Sequence, residues 1–232
     1  MEYKQFAKYY DMFYQKKDYQ KEVEFLSNFI KNQDDVIDIG CGTGIHASLL
    51  TQKGANVDGL DLNKEMLDIA KTRLKTNLYL QNILELQINK KYNVIISMFA
   101  VLNHLKNKKE LEKCFANFQK ILKTNGKIII DLHNPQTSGT KTDSFNNMKR
   151  TMKWEFDQEH KTEKSEIIFE VGDEKYIDNH IFYIFSIDDI KECALKTGLK
   201  VLNVFENYDC KKKGISSSKN LQFLIVKKEA KL

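Results

Sequence analysis

An α/β fold, with a parallel sheet covered by helices on both faces, is what this sequence of 232 residues predicts. Three observations carry that reading. Strand-like apolar runs alternate with helical patterns from Val36 onward, and parallel strands need such crossovers to join them. The stretch from Val36 to Gly44, Val-Ile-Asp-Ile-Gly-Cys-Gly-Thr-Gly, links a strand, a tight glycine turn and a helix start. Length and composition, 41% hydrophobic and 30% charged, suit a single globular domain spanning 1–232.

Residues 1–32 read as an N-terminal helical cap. Phe6, Tyr9, Tyr10 and Phe13, then Val23, Phe25, Leu26, Phe29 and Ile30, recur at helical spacing, and Gln15 to Asp18 separates two helices. Strands are expected at 36–39, 56–60, 77–80, 93–98 and 127–132, and helices at 45–53, 63–75 and 108–123. Asn63 is placed to cap the second of these helices, and Asn125-Gly126 to stop the third. Residues 134–150, rich in Thr, Ser and Asn, read as loop. Alternating, aromatic-rich segments follow at 152–156, 166–171 and 180–185, as antiparallel strands do, with a turn at Gly172-Asp173. Residues 134–185 thus form a small antiparallel β lid inserted in the domain. Ser186 to Asp189 opens a helix in capping-box fashion, Gly198 ends it, and strands at 199–206 and 220–227 follow.

Composition excludes several classes. Cys41, Cys114, Cys193 and Cys210 are far apart, so no metal site is expected and reduced thiols fit the cytoplasm. The mostly apolar run from Val94 to Leu102 falls well short of the roughly 18 residues of a membrane span. Met1 to Asp18 has no apolar signal-peptide core, so cytoplasmic residence is expected. The net charge of +5 is spread out, and Lys211-Lys212-Lys213 reads as a solvated loop. A nucleic-acid groove needs a larger basic excess interleaved with aromatics. A nucleic-acid partner is therefore not expected; the partner expected instead is a small-molecule acceptor, with the chain a monomer or homodimer.

Gly40, Gly42 and Gly44 follow Asp38 at every second position. Glycine permits positive φ and sets no Cβ between backbone and ligand, and the helix start offers free N–H groups. A dinucleotide fingerprint, G-x-G-x-x-G, needs its third glycine one residue later. Val57 to Asp61 reads as a second strand ending in an acid, seventeen positions after Gly44. A carboxylate there suits ribose hydroxyls, whose hydrogens it accepts. Cys41 occupies a loop position that needs a small side chain and reads as packing.

The glycine spacing, with Asp38 before it and Asp61 after it, resembles motif I of the class I S-adenosylmethionine-dependent methyltransferases. The resemblance implies a seven-stranded, Rossmann-like sheet in the order three-two-one-four-five-seven-six, and S-adenosyl-L-methionine as cofactor. Gly40, Cys41, Gly42, Thr43 and Gly44 would wrap its methionine and ribose. Leu62 and Met66 would flank the adenine, although Met66 reads equally well as core. Asn82-Ile83 would meet the adenine amine, and Ser97 and Met98 would border the cofactor. Within the family the pattern is most similar to the amino-sugar N,N-dimethyltransferases. That likeness rests on Tyr10-Asp11-Met12-Phe13-Tyr14 with Lys17-Asp18-Tyr19, on Cys41 to His46, and on Ser97-Met98-Phe99. It makes Tyr14 a candidate to hydrogen-bond acceptor or cofactor, the alternative being a packed helix aromatic. Tyr19 is a candidate for the cofactor carboxylate. The Asn/Asp-Pro-Pro-aromatic motif of DNA amino-methylating members is absent at Ser97 to Ala100, and Pro135 is the sole proline.

Ligands of such sheets bind beyond the C-terminal strand ends, so Ser97 to His104 should line the acceptor side. His104 and His133 are the candidate bases. His46 reads as a helix-surface residue, and His160 and His180 belong to the lid. The motif segments show no closely spaced His–carboxylate pair. Together with the resemblance to the amino-sugar N,N-dimethyltransferases, this implies an amine acceptor, such as that of a nucleotide-linked sugar, which needs no strong base. O-methylation of a sugar or capsule component, and a catalytically silent S-adenosylmethionine-binding module, are the alternatives.

Overall fold

The computed structural model describes residues 7–135, 137–145 and 148–228; Phe6 lies outside the described residues. The cap consists of α1 (Ala7–Tyr14) and α2 (Tyr19–Ser27). There follow β1 (Asp35–Ile39), α3 (Ile45–Gln52), β2 (Asn56–Asp61), α4 (Lys64–Arg73), β3 (Leu78–Leu80), β4 (Tyr92–Ser97), α5 (Lys108–Ile121) and β5 (Leu122–His133). The lid holds β6 (Gly139–Phe145), β7 (Met148–Asp157), β8 (Thr162–Val171) and β9 (Glu174–Tyr183). α6 (Ile187–Lys196), β10 (Leu199–Glu206), β11 (Asp209–Lys213) and β12 (Asn220–Lys227) complete the domain.

The main sheet runs β3-β2-β1-β4-β5-β12-β10-β11, with β12 antiparallel to both neighbours. That is the expected seven-strand order with one short strand added at the edge. Lys211 to Lys213 therefore lie in β11, not in a loop. Asn207 and Tyr208, at φ 53° and 57°, turn β10 into β11 as a two-residue hairpin does. Lysines on such an edge deter further strand pairing.

Adjacent residues of the central strands enter different cores. Ile37, Ile95 and Ile128 pack with Phe115 and Phe118 of α5 and Ile190 of α6. Val36, Ile96 and Ile129 pack with Leu26 of α2, Leu50 of α3 and Ala70 of α4. A strand buried on both faces has no polar side to show, as parallel-sheet strands require. The helices start where their caps stand: Asn63 Oδ1 accepts from Met66 N at 2.9 Å, and Ser186 with Asp189 forms a full capping box.

Two local readings need correction. α5 stops at Ile121, and Asn125-Gly126 falls within β5, where pairing with β4 skips from Leu122 to Lys127. The buried Leu122 is already extended, so the glycine marks a bulge rather than a helix stop. The polar stretch 134–150 is not all loop, because Gly139–Phe145 forms β6 along β7 and the lid has four strands. An edge strand need not be apolar, and Thr142 and Thr151 pair across the ladder with hydroxyls 3.2 Å apart.

The lid sheet is two-faced. Arg150, Glu163, Phe169, Asp178 and His180 are buried on one side, while Lys149, Lys153, Ile177 and Ile181 are exposed on the other. The buried face looks onto α1 and the ends of β4 and β5. Phe13 meets Phe169 at 5.1 Å between ring centroids, and His104 meets Phe182 at 4.7 Å.

Candidate active site

Gly40 N and Cys41 N both donate to Leu60 O, at 2.7 and 2.9 Å, tying the glycine loop to the end of β2. Gly42 N donates to Asp61 Oδ2 and Asn63 N to Asp61 Oδ1, each at 2.8 Å. Burial pushes the Asp61 carboxyl up, against these N–H groups, which favour its charge. Gly40, Gly42 and Gly44 all have positive φ, at 74°, 53° and 80°. Their surroundings differ. A Cβ on Gly40 would stand 2.5 Å from Val101 and one on Gly44 2.9 Å from Leu74, whereas one on Gly42 would meet nothing within 4 Å. Of the three, Gly42 is thus the one whose backbone faces open space. Cys41 is buried and its thiol is pushed well up by burial, as a packing residue requires. Leu62 is 59% exposed beside the loop and Met66 only 3%. Asn82 caps the 3₁₀ turn Ile83–Glu85 through Leu84 N at 2.9 Å.

Beneath the loop lies Asp38, 1% exposed, whose Oδ2 has no hydrogen-bond partner. Burial first, then the nearby Asp61 and Asp131, pushes its carboxyl up to about 6, against the pull of His46 and Lys17. His46 is not a surface residue. It is buried with Nε2 2.6 Å from Glu22 Oε2, because α2 packs over α3 and brings that carboxylate to it. Lys17 bonds the same Glu22 oxygen and places its ammonium 4.2 Å from the Tyr19 ring and 4.7 Å from the Phe99 ring. His46 and Lys17 hold the Glu22 carboxyl below its usual range even though burial opposes this.

α1 lies across the loop. Asp11 accepts from Thr43 Oγ1 at 2.6 Å and pairs with Arg73 of α4, which also donates to Thr43 O at 2.6 Å. This places Tyr14 edge-on to Phe99, with centroids 5.0 Å apart. Asp11 and Arg73 were legible only as members of a signature and a helix; their joining is tertiary.

β4 ends in a strained loop. Phe99 and Ala100 both take positive φ, at 70° and 60°. Asp131, buried at the end of β5, accepts from Ala100 N at 2.7 Å and from the Tyr208 hydroxyl at 2.5 Å. Ser97 is fully enclosed and donates to Ile39 O at 2.9 Å, so its hydroxyl joins β4 to β1 and does not face the cleft. Met98 is buried among the residues of the α2–α4 core. Asp131 is a lone acid in the run Ile128-Ile129-Ile130-Asp131-Leu132, the one signal that could have marked it. Asp131→Ala leaves two donors unsatisfied and is expected to destabilise the protein by about 1–3 kcal/mol, read by denaturant unfolding. An unchanged unfolding midpoint would remove this role.

Asn103 turns inward, not toward an acceptor. Its amide donates to His133 O and Tyr183 O at 3.1 and 2.8 Å, and its carbonyl accepts from His133 N at 3.0 Å. It fastens the turn after β4 to β5 and to the lid. His104 packs against His180 with ring centroids 5.6 Å apart, and burial first, then His180, pushes its imidazole down to about 4. The lid supplies what the motif segments lack. Glu163 Oε2 stands 3.1 Å from His133 Nε2, and Asp178 Oδ2 stands 3.0 Å from His180 Nε2.

The family model described as a methyltransferase domain matches residues 10–204. The chain belongs to the methyltransferase domain family. A curated relative is the dTDP-3-amino-3,4,6-trideoxy-alpha-D-glucopyranose N,N-dimethyltransferase of Streptomyces venezuelae, 28% identical over 132 residues, which are 54% of this chain and 56% of the relative. The chain spans about half the length of the curated relatives it matches. In fold, this methyltransferase domain is similar to an S-adenosylmethionine-dependent methyltransferase from Clostridium acetobutylicum, with a TM-score of 0.84 at 24% identity, over 98% of this chain and 99% of that one. It is also similar to Streptomyces venezuelae DesVI, with a TM-score of 0.77 at 23% identity, over 95% and 98% of the two chains. Among the described residues no helix is long and apolar enough to cross a membrane.

S-adenosylmethionine is the cofactor, and the residues of this methyltransferase domain fit it. The open Gly42 offers backbone, Asp61 offers remaining carboxylate lone pairs for a diol, and the unpartnered Asp38 oxygen suits a cationic ammonium. Asp38 then predicts a pH dependence. Above about pH 6 it is a carboxylate and would attract the ammonium; below about pH 6 it is protonated and that attraction would be lost. Cofactor affinity is expected to fall by up to about tenfold per pH unit on that acid side. Titration calorimetry checks it, and Asp38→Asn should flatten the profile; a flat wild-type profile would sink the assignment.

Proposed function

We propose that this protein transfers a methyl group from S-adenosylmethionine to the amine of a small polar acceptor, such as a nucleotide-linked sugar. The observation that carries the reading is the lid. Its buried face closes over the ends of β4 and β5 and sets the carboxylates of Asp178 and Glu163 there. Carboxylates on that covered face suit an acceptor that presents an amine there. The relative that methylates an amino sugar supports the same reading.

In this mechanism the cofactor supplies an activated methyl group on sulfur, and the protein supplies position and shielding. The glycine loop with Asp61 would hold the ribose, Leu62 and Met66 with Asn82 and Ile83 would border the adenine, and Tyr19 would face the carboxylate end. Tyr14, ordered by Phe99 and by Arg150, whose guanidinium carbon lies 4.9 Å from its ring centroid, would orient the acceptor. A neutral amine attacks without a base, so fixing its lone pair in line is the larger requirement.

O-methylation is the second reading, and the His133–Glu163 pair favours it, since a carboxylate-oriented imidazole is how a hydroxyl proton is removed. The test incubates the protein and S-adenosylmethionine with nucleoside-diphosphate amino sugars and with their hydroxyl counterparts, and follows methyl gain by mass spectrometry. Methylation of the amino sugars alone is expected. Methylation of the hydroxyl compounds alone would overturn the amine reading. Turnover of neither, with the cofactor tightly bound, would leave the silent binding module.

A further inference from the structure

We propose that Arg150 forms an anion subsite at the rim of the acceptor chamber, taking a phosphate or carboxylate group carried by the acceptor. The inference rests on the methyltransferase reading above and adds a charge requirement to the acceptor.

Arg150 is 6% exposed, yet its donors are only partly used. Nη2 donates to Asp143 Oδ2 at 2.7 Å, while Nε and Nη1 are enclosed without a hydrogen-bond partner. A guanidinium carries five N–H donors in a fixed plane, and leaving some buried and unmade is costly. The plane is fixed by aromatic rings: the guanidinium carbon lies 4.9 Å from the Tyr14 centroid and 5.7 Å from that of Phe13. Tyr14 in turn touches Phe99, so Arg150 stands one ring away from the β4 loop that borders the crevice.

Residue choice supports a recognition role. The chain has 37 basic residues, and only Arg73 and Arg150 are arginines. Arg73 clamps α1 over the glycine loop. On β7 the outward ion pairs are made by lysines, Lys149 to Glu170 and Lys153 to Glu166. The inward position alone is arginine, the side chain that matches planar, multi-oxygen anions. Asp143 lies on the edge strand β6 and holds part of the charge, so an arriving anion competes with it. Asp178 lies on the same sheet face, two residues beyond the Arg150–Phe169–Tyr176 row. The chamber therefore has a cationic corner for an anion and an acidic wall for an amine.

Trp154, the only tryptophan, is four residues from Arg150 on the same strand and face, and reports on that face of the lid. The experiment titrates the full chain with inorganic phosphate, pyrophosphate and acetate, following tryptophan fluorescence, and separately measures S-adenosylhomocysteine affinity by calorimetry. A saturable response is expected, weakened at least tenfold in Arg150→Gln, partly kept in Arg150→Lys, with cofactor affinity unchanged in both. A response to phosphate or pyrophosphate but not acetate assigns a phosphorylated acceptor; the reverse assigns a carboxylated one. Asp143→Asn removes the competing carboxylate and should tighten anion binding, a gain that misfolding cannot mimic. No saturable response up to about 10 mM, or equal affinity in wild type, Arg150→Gln and Asp143→Asn, would overturn the subsite. Failure of the wild type to bind S-adenosylhomocysteine would sink the methyltransferase reading instead.

Discussion

Gly42→Val is expected to abolish S-adenosylmethionine binding while leaving the fold in place. The other two loop glycines cannot make this separation. A side chain on Gly40 or Gly44 would collide with Val101 or Leu74, so their variants damage packing before they reach a ligand. At Gly42 no protein atom lies within 4 Å of an added Cβ, so the new methyl groups enter the space left for the cofactor. The remaining cost is backbone strain, since φ at Gly42 is 53° and a β-branched residue there costs on the order of 1–2 kcal/mol. That is small beside a typical stability of about 5–15 kcal/mol. Asp61→Ala is the milder companion. It removes the acceptor for Gly42 N and for a ribose diol, and should weaken binding by about 1–3 kcal/mol. Titration calorimetry with circular dichroism as the fold control reads both. Wild-type affinity in both folded variants would remove the cofactor site from this loop.

What was legible in the sequence was what local physics determines. The strand–glycine–helix corner, Asp61, the Asn63 cap and the Ser186 capping box each occupy a few consecutive residues, and each stands where its spacing placed it. The order of the main sheet followed from likeness, because strand order is a long-range property that no local pattern encodes. Misreadings share one cause. β6 is polar because it is an edge strand, and Lys211 to Lys213 are charged for the same reason, so composition imitated loops. His46 looked like a surface residue because its partner Glu22 is twenty-four positions earlier, on a helix whose docking the sequence does not state. The paired histidines were hidden likewise. Glu163 reaches His133 only because β8 folds back over β5, thirty positions away in the chain.

The two candidate bases, His104 and His133, set the last expected result. With the true acceptor, His104→Ala and His133→Ala should each keep turnover within about tenfold of wild type if that acceptor is an amine, because attack needs positioning and not proton removal. His104 is held uncharged at neutral pH, with its imidazole pushed down to about 4, so it adds no positive charge that would repel an ammonium group entering the chamber. His133 is the stricter test. It is partly exposed at the end of β5, and Glu163, which also accepts from Ser165 Oγ at 2.7 Å, orients its ring. That arrangement can receive a hydroxyl proton and stabilise the charge that results. If the acceptor is a hydroxyl, His133→Ala should cost about 10²–10⁴-fold in turnover, and Glu163→Gln a smaller share of it. The pH profiles separate the cases again. An amine reaction rises with pH until the acceptor's own ammonium has lost its proton and is unmoved by His133→Ala, whereas a base-assisted reaction loses its acid limb in that variant. A large loss of turnover in His133→Ala, with cofactor affinity intact and the acid limb gone, would replace the amine mechanism by O-methylation. Conversely, near-wild-type rates in both histidine variants would leave the His133–Glu163 pair as a fastener between lid and core, consistent with the Asn103 bonds that already tie His133 and Tyr183 together.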